Sequence, residues 1–517
     1  MTRLIQWDLR IDWNMDGTYT DESTYLIAAD GNMRLANPED SITSGRGIVD
    51  SASVTLDNAT GRFSPLNTAS AITADIASGG AYHVPMYLRV SVDGVPNYSR
   101  VFTGVLKIPS ELGATSRQHP TVTFDCRSWD EVILQQRVST LQSIFSTIYT
   151  SGYTEEQIIA RWLTDAGMND GVEFTSQAFG GTPTLDPGLW IINWAWLDDE
   201  SPMTDIWQLA AAAGGRFYAD PDGVFRYENA AHWLYSPHTV SQATLIKDNF
   251  VTLTPWYDDQ ELYKAVEVEV SPRELLDSSV VWKSDTVETI PAASNRTIVA
   301  RMRQPAYTLT TPVQGTDFVA ITSGGTDISS SVTVTIPTGT KYAQRVSLLC
   351  TNNHATQAAN MVVLQLRGQA VDGARRGSES KTSTNAFWVK GARTNWGRTG
   401  RTRSLSSNPY IQASAQGAML AEFLRDRYEL PRLFFSVSNV DGIPARRLGD
   451  RLTLTDADVM TSSAMMFVIE IDWQLGRQGF RQSYVGIDAT SLYPFQTLYF
   501  VINTNAPHLT ASARLFY

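Results

Sequence analysis

Residues 45–67 read GRGIVDSASVTLDNATGRFSPLN. A strand is expected from Ile48 to Leu56, with Ile48, Val54 and Leu56 as its apolar positions and Ser51, Ser53 and Thr55 between some of them. It runs into Asp57-Asn58-Ala59-Thr60-Gly61, residue types that favour turns and tolerate left-handed backbone. Arg62-Phe63-Ser64-Pro65 follows. Strand followed by tight turn is the local theme, and it points to a β architecture.

Upstream, Ile5, Trp7, Leu9, Ile11 and Trp13 alternate with Gln6, Asp8, Arg10 and Asp12, the period of a half-buried strand. It ends in Asp12-Trp13-Asn14-Met15-Asp16-Gly17. Asp12, Asn14 and Asp16 carry the spacing of the first half of a calcium loop, in which Gly17 would allow the sharp turn that converges their oxygens. The twelfth loop position is Ser23 where a bidentate Glu is needed, and Glu22 comes one residue early. The same residues read as a hairpin turn held by Asx side chains, the reading that the missing Glu favours. Downstream, residues 68–85 are rich in Ala, Ser and Gly and read as a loop. Tyr87–Val92 then meets Asp93-Gly94, a hairpin signal, and Tyr98–Ile108 returns. Thr121–Cys126 adds a strand, so residues 1–130 form one β-domain.

Helical signals begin near residue 129, where Val132, Ile133, Leu141, Ile144, Phe145 and Ile148 recur at loose helical intervals. Thr154-Glu155-Glu156-Gln157 is a capping box, with Ile158, Ile159, Trp162 and Leu163 as the buried face behind it. Ser201-Pro202 opens another helix, with Ser as cap and Pro at the first helical position, and Gly214-Gly215 closes it. Arg216–Ala219, Asp220-Pro221-Asp222-Gly223 and Val224–Tyr227 read as strand, turn and strand. An α+β domain over 131–235 results. Residues 236–375 return to alternation, as in Ala265–Val270, Ser331–Ile336, Arg345–Cys350 and Met361–Leu366, and are expected to form a β-sandwich. Residues 376–517 form the last β-domain, with one helix at 411–430.

Five patches, taken in order, resemble the minor tail and tail-hub proteins of long-tailed bacteriophages. They are the D-W-N-x-D-G turn in 5–20, the TLDN…GRFSP string in 45–67, LAAAAGGRFYADPDGVFRY within 201–228, the LQLRG stretch of 341–371, and RLGDRLTL at the end of 411–454. The resemblance implies a mainly β, multidomain fold with α+β insertions: two tail-tube-like β-barrel domains, at 1–130 and 376–517, flank the α+β domain and the sandwich. It further implies a structural role in the virion, at the tail tip. There a homotrimeric hub ring would close the tail tube, dock the distal tail protein, the tape measure protein and a fibre or receptor-binding protein, and open to release DNA through its lumen.

Composition agrees with a structural role. Charged residues make up 18% of the 517, below the usual ~25%, while 14 Trp and 20 Tyr exclude a disordered chain. A net charge of −12 opposes sequence-specific nucleic-acid binding through phosphates, though not passage of DNA through a lumen. No stretch approaches 18 consecutive apolar residues, and Met1 leads into a strand without a signal-peptide pattern, so cytoplasmic synthesis without membrane insertion is expected. Cys126 and Cys350 show no ligand spacing and read as buried free thiols.

No enzyme constellation emerges. His83, His119, His232, His238, His354 and His508 lack metal-hydrolase spacing, and neither a nucleophile elbow nor a P-loop is present. The carboxylates of Asp198-Asp199-Glu200 and of Asp258, Asp259 and Glu261 could serve a peptidoglycan hydrolase, but the first group lies just before a helix start, where acids suit the dipole. A non-enzyme without cofactor, calcium at the Asp12 loop aside, is therefore expected. The alternative function is a carbohydrate-binding receptor protein of the tail tip. A basic run between 372 and 410, including Arg375, Arg376, Lys381, Lys390, Arg393, Arg398, Arg401 and Arg403 with Trp388 and Trp396, could bind single-stranded nucleic acid. It reads better as a solvated loop or as a partner for acidic patches on a neighbouring subunit. The aromatic tail at 492–517 is expected to dock on its own domain or on a neighbour.

Overall fold

The computed structural model describes residues 4–35, 45–64, 67–68, 70, 72, 83–93, 98–107, 110–112, 120–179, 181–258, 262–373, 377–382, 401–405, 407–460, 462–489, 499–501 and 514–516. The protein is mainly β. The N-terminal strands are β1 (Ile5–Ile11), β2 (Thr20–Asp21), β3 (Leu26–Leu35), β4 (Ile48–Asp57), β5 (Val84–Val92), β6 (Ser99–Leu106), β7 (Ser110–Leu112) and β8 (Thr121–Ser128). The strand expected at 48–56 is β4, paired antiparallel with β3 on one side and β8 on the other. Its turn is held from within. Asn58 is buried and its Oδ1 accepts the Phe63 amide at 2.9 Å, while Gly61 takes φ +66°. Phe63 is thereby driven into the core against Trp13, Tyr25 and Phe124.

The expected run of helix at 129–148 is two helices, α1 (Asp130–Gln135) and α2 (Gln142–Ser151). Between them Val138–Ser139 extends to pair with Asp198–Glu200, which ends the helical register. The capping box opens α3 (Glu155–Asp165), with the Thr154 amide donating to Gln157 Oε1 at 3.1 Å. In α4 (Pro202–Ala212) the Ser201 hydroxyl accepts the Met203 amide at 3.4 Å. The hairpin β9 (Arg216–Ala219) and β10 (Phe225–Glu228) follows, its turn organised by Asp220, which accepts the amides of Asp222 and Val224.

Next come β11 (Ala243–Ile246), β12 (Thr252–Asp258) and β13 (Ala265–Val270). Val266, Val268 and Val270 of β13 enter the helical core together with Leu420 and Leu424 of α5 (Ser414–Tyr428). Between residues 273 and 373, the long strand Ala359–Gly373 carries five shorter strands. A three-stranded sheet of Ser294–Arg301, Arg345–Asn352 and Val332–Thr335 shares one core with it, including Phe318, Leu348, Cys350 and Leu364. The final strands are β14 (Arg432–Asp441), β15 (Arg451–Thr455), β16 (Ala464–Gly476) and β17 (Gly479–Asp488).

The first and last β regions are one sheet. Its path is β12-β14-β17-β16-β3-β4-β8-β6-β5-β1-β2, with β15 on β16, β11 on β15 and β7 on β8. Among the described residues no sheet closes on itself. The seam is β3 against β16, in register from Ala29↔Leu475 to Arg34↔Glu470. Cores are exchanged across it. Trp473, Leu475 and Phe480 pack among the N-terminal strands, and Met33 and Leu35 pack among the C-terminal ones. A Cβ on Gly31 would lie 2.3 Å from Trp473 Cζ2, so the indole occupies the space that glycine leaves. Among the described residues no helix is long and apolar enough to cross a membrane.

A buried charge network ties the β9–β10 hairpin to the C-terminal strands. Glu228 pairs with Arg216 at 2.7 Å and accepts from the Tyr218 hydroxyl. His232 lies 3.5 Å from Glu228 and 2.8 Å from Asp186, and His238 donates to the Gly449 carbonyl at 2.7 Å. Burial opposes the charge on Glu228, but His232, Arg216 and Tyr218 outweigh it and hold the carboxyl down at about 2. Burial likewise disfavours protonation of His232; Glu228 and Asp186 reverse the balance and raise it. His238 is lowered, by burial and by the charge of His232.

Two outcomes follow from these contacts. Gly31→Ala should cost about 1–3 kcal/mol by overpacking the seam, and Trp473→Ala about 3–5 kcal/mol. The double variant should cost less than the sum, read by denaturant unfolding. A carboxyl depressed in the fold contributes stability that is complete above its unfolded pKa and lost as pH falls towards its folded one. Glu228 therefore contributes to acid unfolding between about 4.5 and about 2. Glu228→Gln, which leaves Arg216 buried without its counter-charge, should cost about 3–5 kcal/mol at neutral pH and flatten that acid limb, measured as Tm against pH.

Candidate functional site

Residues 12–17 form a turn whose polar groups satisfy one another. Asp12 is 2% exposed, and its two oxygens accept the amides of Asp16 (3.2 Å) and Gly17 (2.8 Å). Asp16 is exposed and accepts the Thr18 amide at 2.8 Å, and Asn14 faces solvent. Ser23, at the twelfth position, accepts the Leu9 amide and donates to Asp21. Glu22 is fully buried and turned elsewhere, bound by Arg62 at 2.6 Å and by the Trp13 indole N–H at 2.9 Å. Asp12, Asn14 and Asp16 thus sit on one turn, and Glu22 serves the Arg62 of the GRFSP string. No group of three His, Cys, Asp or Glu placed to hold a metal is found among the described residues.

Of the two carboxylate groups singled out in the sequence, only Asp198–Glu200 falls wholly among the described residues. Asp198–Glu200 lies on the short strand paired with Val138–Ser139, and Arg345 approaches Asp199 at 3.9 Å. The Asp258 side chain, Asp259 and Glu261 lie outside the described residues, as do His119, His508, Arg375, Arg376, Lys390, Arg393, Arg398, Trp388, Trp396 and the side chains of the aromatic tail. Arg403 stacks over Tyr263 and Tyr428, and Arg401 is exposed. Cys126 and Cys350 are free and buried in separate cores, and burial pushes the Cys350 thiol up to about 11.

The feature best suited to function is an exposed apolar stretch of chain, residues 235–257. Tyr235, Val240, Ile246, Val251, Trp256 and Tyr257 are six of the 22 large exposed apolar residues in the described structure, and they fall within 23 residues of chain. This segment ends in β12, the outermost strand at one end of the long sheet. Tyr257 and Val251 are each 68% exposed, and Trp256 stacks on Phe434 with ring centroids 5.5 Å apart. Concentrated apolar exposure on a sheet's last strand marks an interaction surface. Its strand periodicity is imperfect: Leu253 packs against the C-terminal core while Trp256 and Tyr257, on opposite faces, are both exposed.

No protein-family model and no curated protein matches the chain. Among solved structures it is similar to a tail protein from Neisseria meningitidis MC58, with 10% identity, 94% of this chain and 98% of that one covered, and a TM-score of 0.41. It is also similar to the 43 kDa tail protein of prophage MuSo2 from Shewanella oneidensis, with 10% identity, 94% and 99% covered, and a TM-score of 0.43. A third is prophage tail protein gp18 from Listeria monocytogenes EGD-e, with 9% identity, 92% and 94% covered, and a TM-score of 0.40. All three are named as tail proteins, two of them from prophages.

Because the Asp12 oxygens are occupied by amides, chelator should leave the melting temperature unchanged. Asp12→Ala should cost about 1–3 kcal/mol through the two orphaned amides. Arg62→Leu should cost roughly 3 kcal/mol by stranding Glu22, and calorimetry of the three samples separates these effects.

Proposed function

We propose that this chain is a structural protein of a bacteriophage tail tip, a hub whose copies, three to a ring, join around a hollow axis. The observation that carries the reading is the exposed apolar strand β12 at one end of the sheet. The collinear resemblance of five sequence patches to tail-hub proteins supports it. In this reading the two ends of the chain act as tube-like β-domains, already joined within the chain through β3 and β16. Contacts between copies close the ring. The lumen passes DNA, and the distal tail, tape measure and fibre proteins dock on its rims. The role is mechanical and needs no reactive pocket.

Native mass spectrometry of the purified chain should show a trimer. Val251→Asp with Tyr257→Asp should shift it to monomer without changing the circular dichroism spectrum. A chain that is monomeric at every concentration, and absent from the tip when virions are imaged, would falsify the assignment. Saturable binding on a glycan array by the isolated chain would favour a receptor-binding protein instead.

A further inference from the structure

A cleft of about 710 Å³ opens on the seam, lined by β3, β4, β8, α1 and β16. Its exposed rim carries Asp30, Asp125 and Asp472, and its floor holds Asp50 and Asp130, with Glu131 at the side. Three bases, Arg46, Lys107 and Arg127, also line it, so six carboxyls against three cations leave a formal excess of three negative charges. Two of those cations are engaged: Arg127 pairs with Glu131 at 2.6 Å, and Arg46 stacks over Trp207.

The second observation is Asp50. It is 6% exposed, it lines the cleft, and its Oδ1 meets no hydrogen-bond partner. A buried carboxyl oxygen without a donor is costly and rare. Burial first, and then Asp130, push its pKa well up; Asp30 is raised by burial and Asp125, and Asp130 by burial. Every one of these costs is relieved by a cation that donates hydrogen bonds inside the cleft.

The polypeptide contains a segment of matching chemistry. Residues 383–400, outside the described structure, carry Lys390, Arg393 and Arg398 and no Asp or Glu, in a chain of net charge −12. We propose that the acidic cleft at the seam receives the basic segment 383–400 of a second copy of this chain, with an arginine or lysine head group reaching Asp50. The choice of a second copy rests on the assembly reading above.

The test uses a fluorescent peptide of residues 383–400 and the full chain, read by anisotropy, with oligomeric state measured on the same samples. The acceptor is a chain carrying Lys390→Ser, Arg393→Ser and Arg398→Ser, whose own segment cannot compete. Saturable binding is expected, at least tenfold weaker for Asp50→Asn and weakened also by the rim pair Asp30→Asn and Asp125→Asn, which leaves the buried floor intact. The triple-Ser chain should itself assemble more weakly than wild type. No saturable binding, or binding indifferent to both sets of cleft variants, overturns the proposal. Cleft-dependent binding together with unchanged assembly of the triple-Ser chain shows that the segment reaches the cleft of its own copy, and overturns the second-copy assignment. A wild-type chain that never assembles, yet whose triple-Ser form binds the peptide at the cleft, sinks the hub reading while leaving the cleft's ligand chemistry standing.

Discussion

The seam between β3 and β16 is the joint on which the molecule depends. Residues 26–35 and 464–476 are separated by more than 400 positions, yet they hydrogen-bond as neighbours in one sheet. Pairing of such distant strands carries a large loop-closure cost and must be repaid by burial. The repayment is the exchange of side chains: Trp473, Leu475 and Phe480 complete the N-terminal core, and Met33 and Leu35 complete the C-terminal one. Gly31 makes the exchange possible by leaving room for the indole. Each half's core is thus completed by side chains of the other.

Two ion pairs away from the seam fix local turns, each with a buried carboxylate. Glu22 with Arg62 fixes the turn after β4 against the segment after β2, and Glu228 with Arg216 ties the two strands of the β9–β10 hairpin to each other. Such pairs add little net stability over apolar packing, but a wrong register strands a charge in the core. This explains in physical terms why the GRFSP string and the GGRFYADPDGVFRY string look like fixed units. In the first, Gly61 turns the chain, Arg62 neutralises Glu22 and Phe63 fills the core. In the second, Arg216 and Glu228 face each other across the hairpin, and Asp220 holds the turn.

How much was legible follows from the range of each interaction. Local signals were readable: the β4 strand and its turn, the Thr154–Gln157 capping box, the Ser201-Pro202 helix start and the β9–β10 hairpin all depend on residues a few positions apart. The seam was not, because nothing in 26–35 names 464–476 as its partner, and Gly31 looks like any strand glycine. The Asp12 loop shows a subtler limit. Spacing alone places three oxygen-bearing side chains on one turn, but whether they face a cation or their own backbone amides depends on dihedral angles that spacing does not encode. Glu22 could not be assigned either, because its partner Arg62 lies 40 residues away. The acidic cleft draws its residues from five elements and leaves no contiguous trace.

The exposed strand β12 concentrates apolar side chains at one end of the long sheet. An unprotected terminal strand offers a ladder of amides to any extended chain. Here Pro255 lies in the middle of β12 and carries no backbone N–H. Val251, Trp256 and Tyr257 provide large, stiff, apolar contacts of the kind that dominate the centres of interfaces. The low overall charge fits the same logic, since flat contacts between copies of one acidic chain would otherwise accumulate repulsion. In the proposed ring, exposed side chains of this kind would select a partner of matching shape, the requirement of a closed assembly built from identical parts.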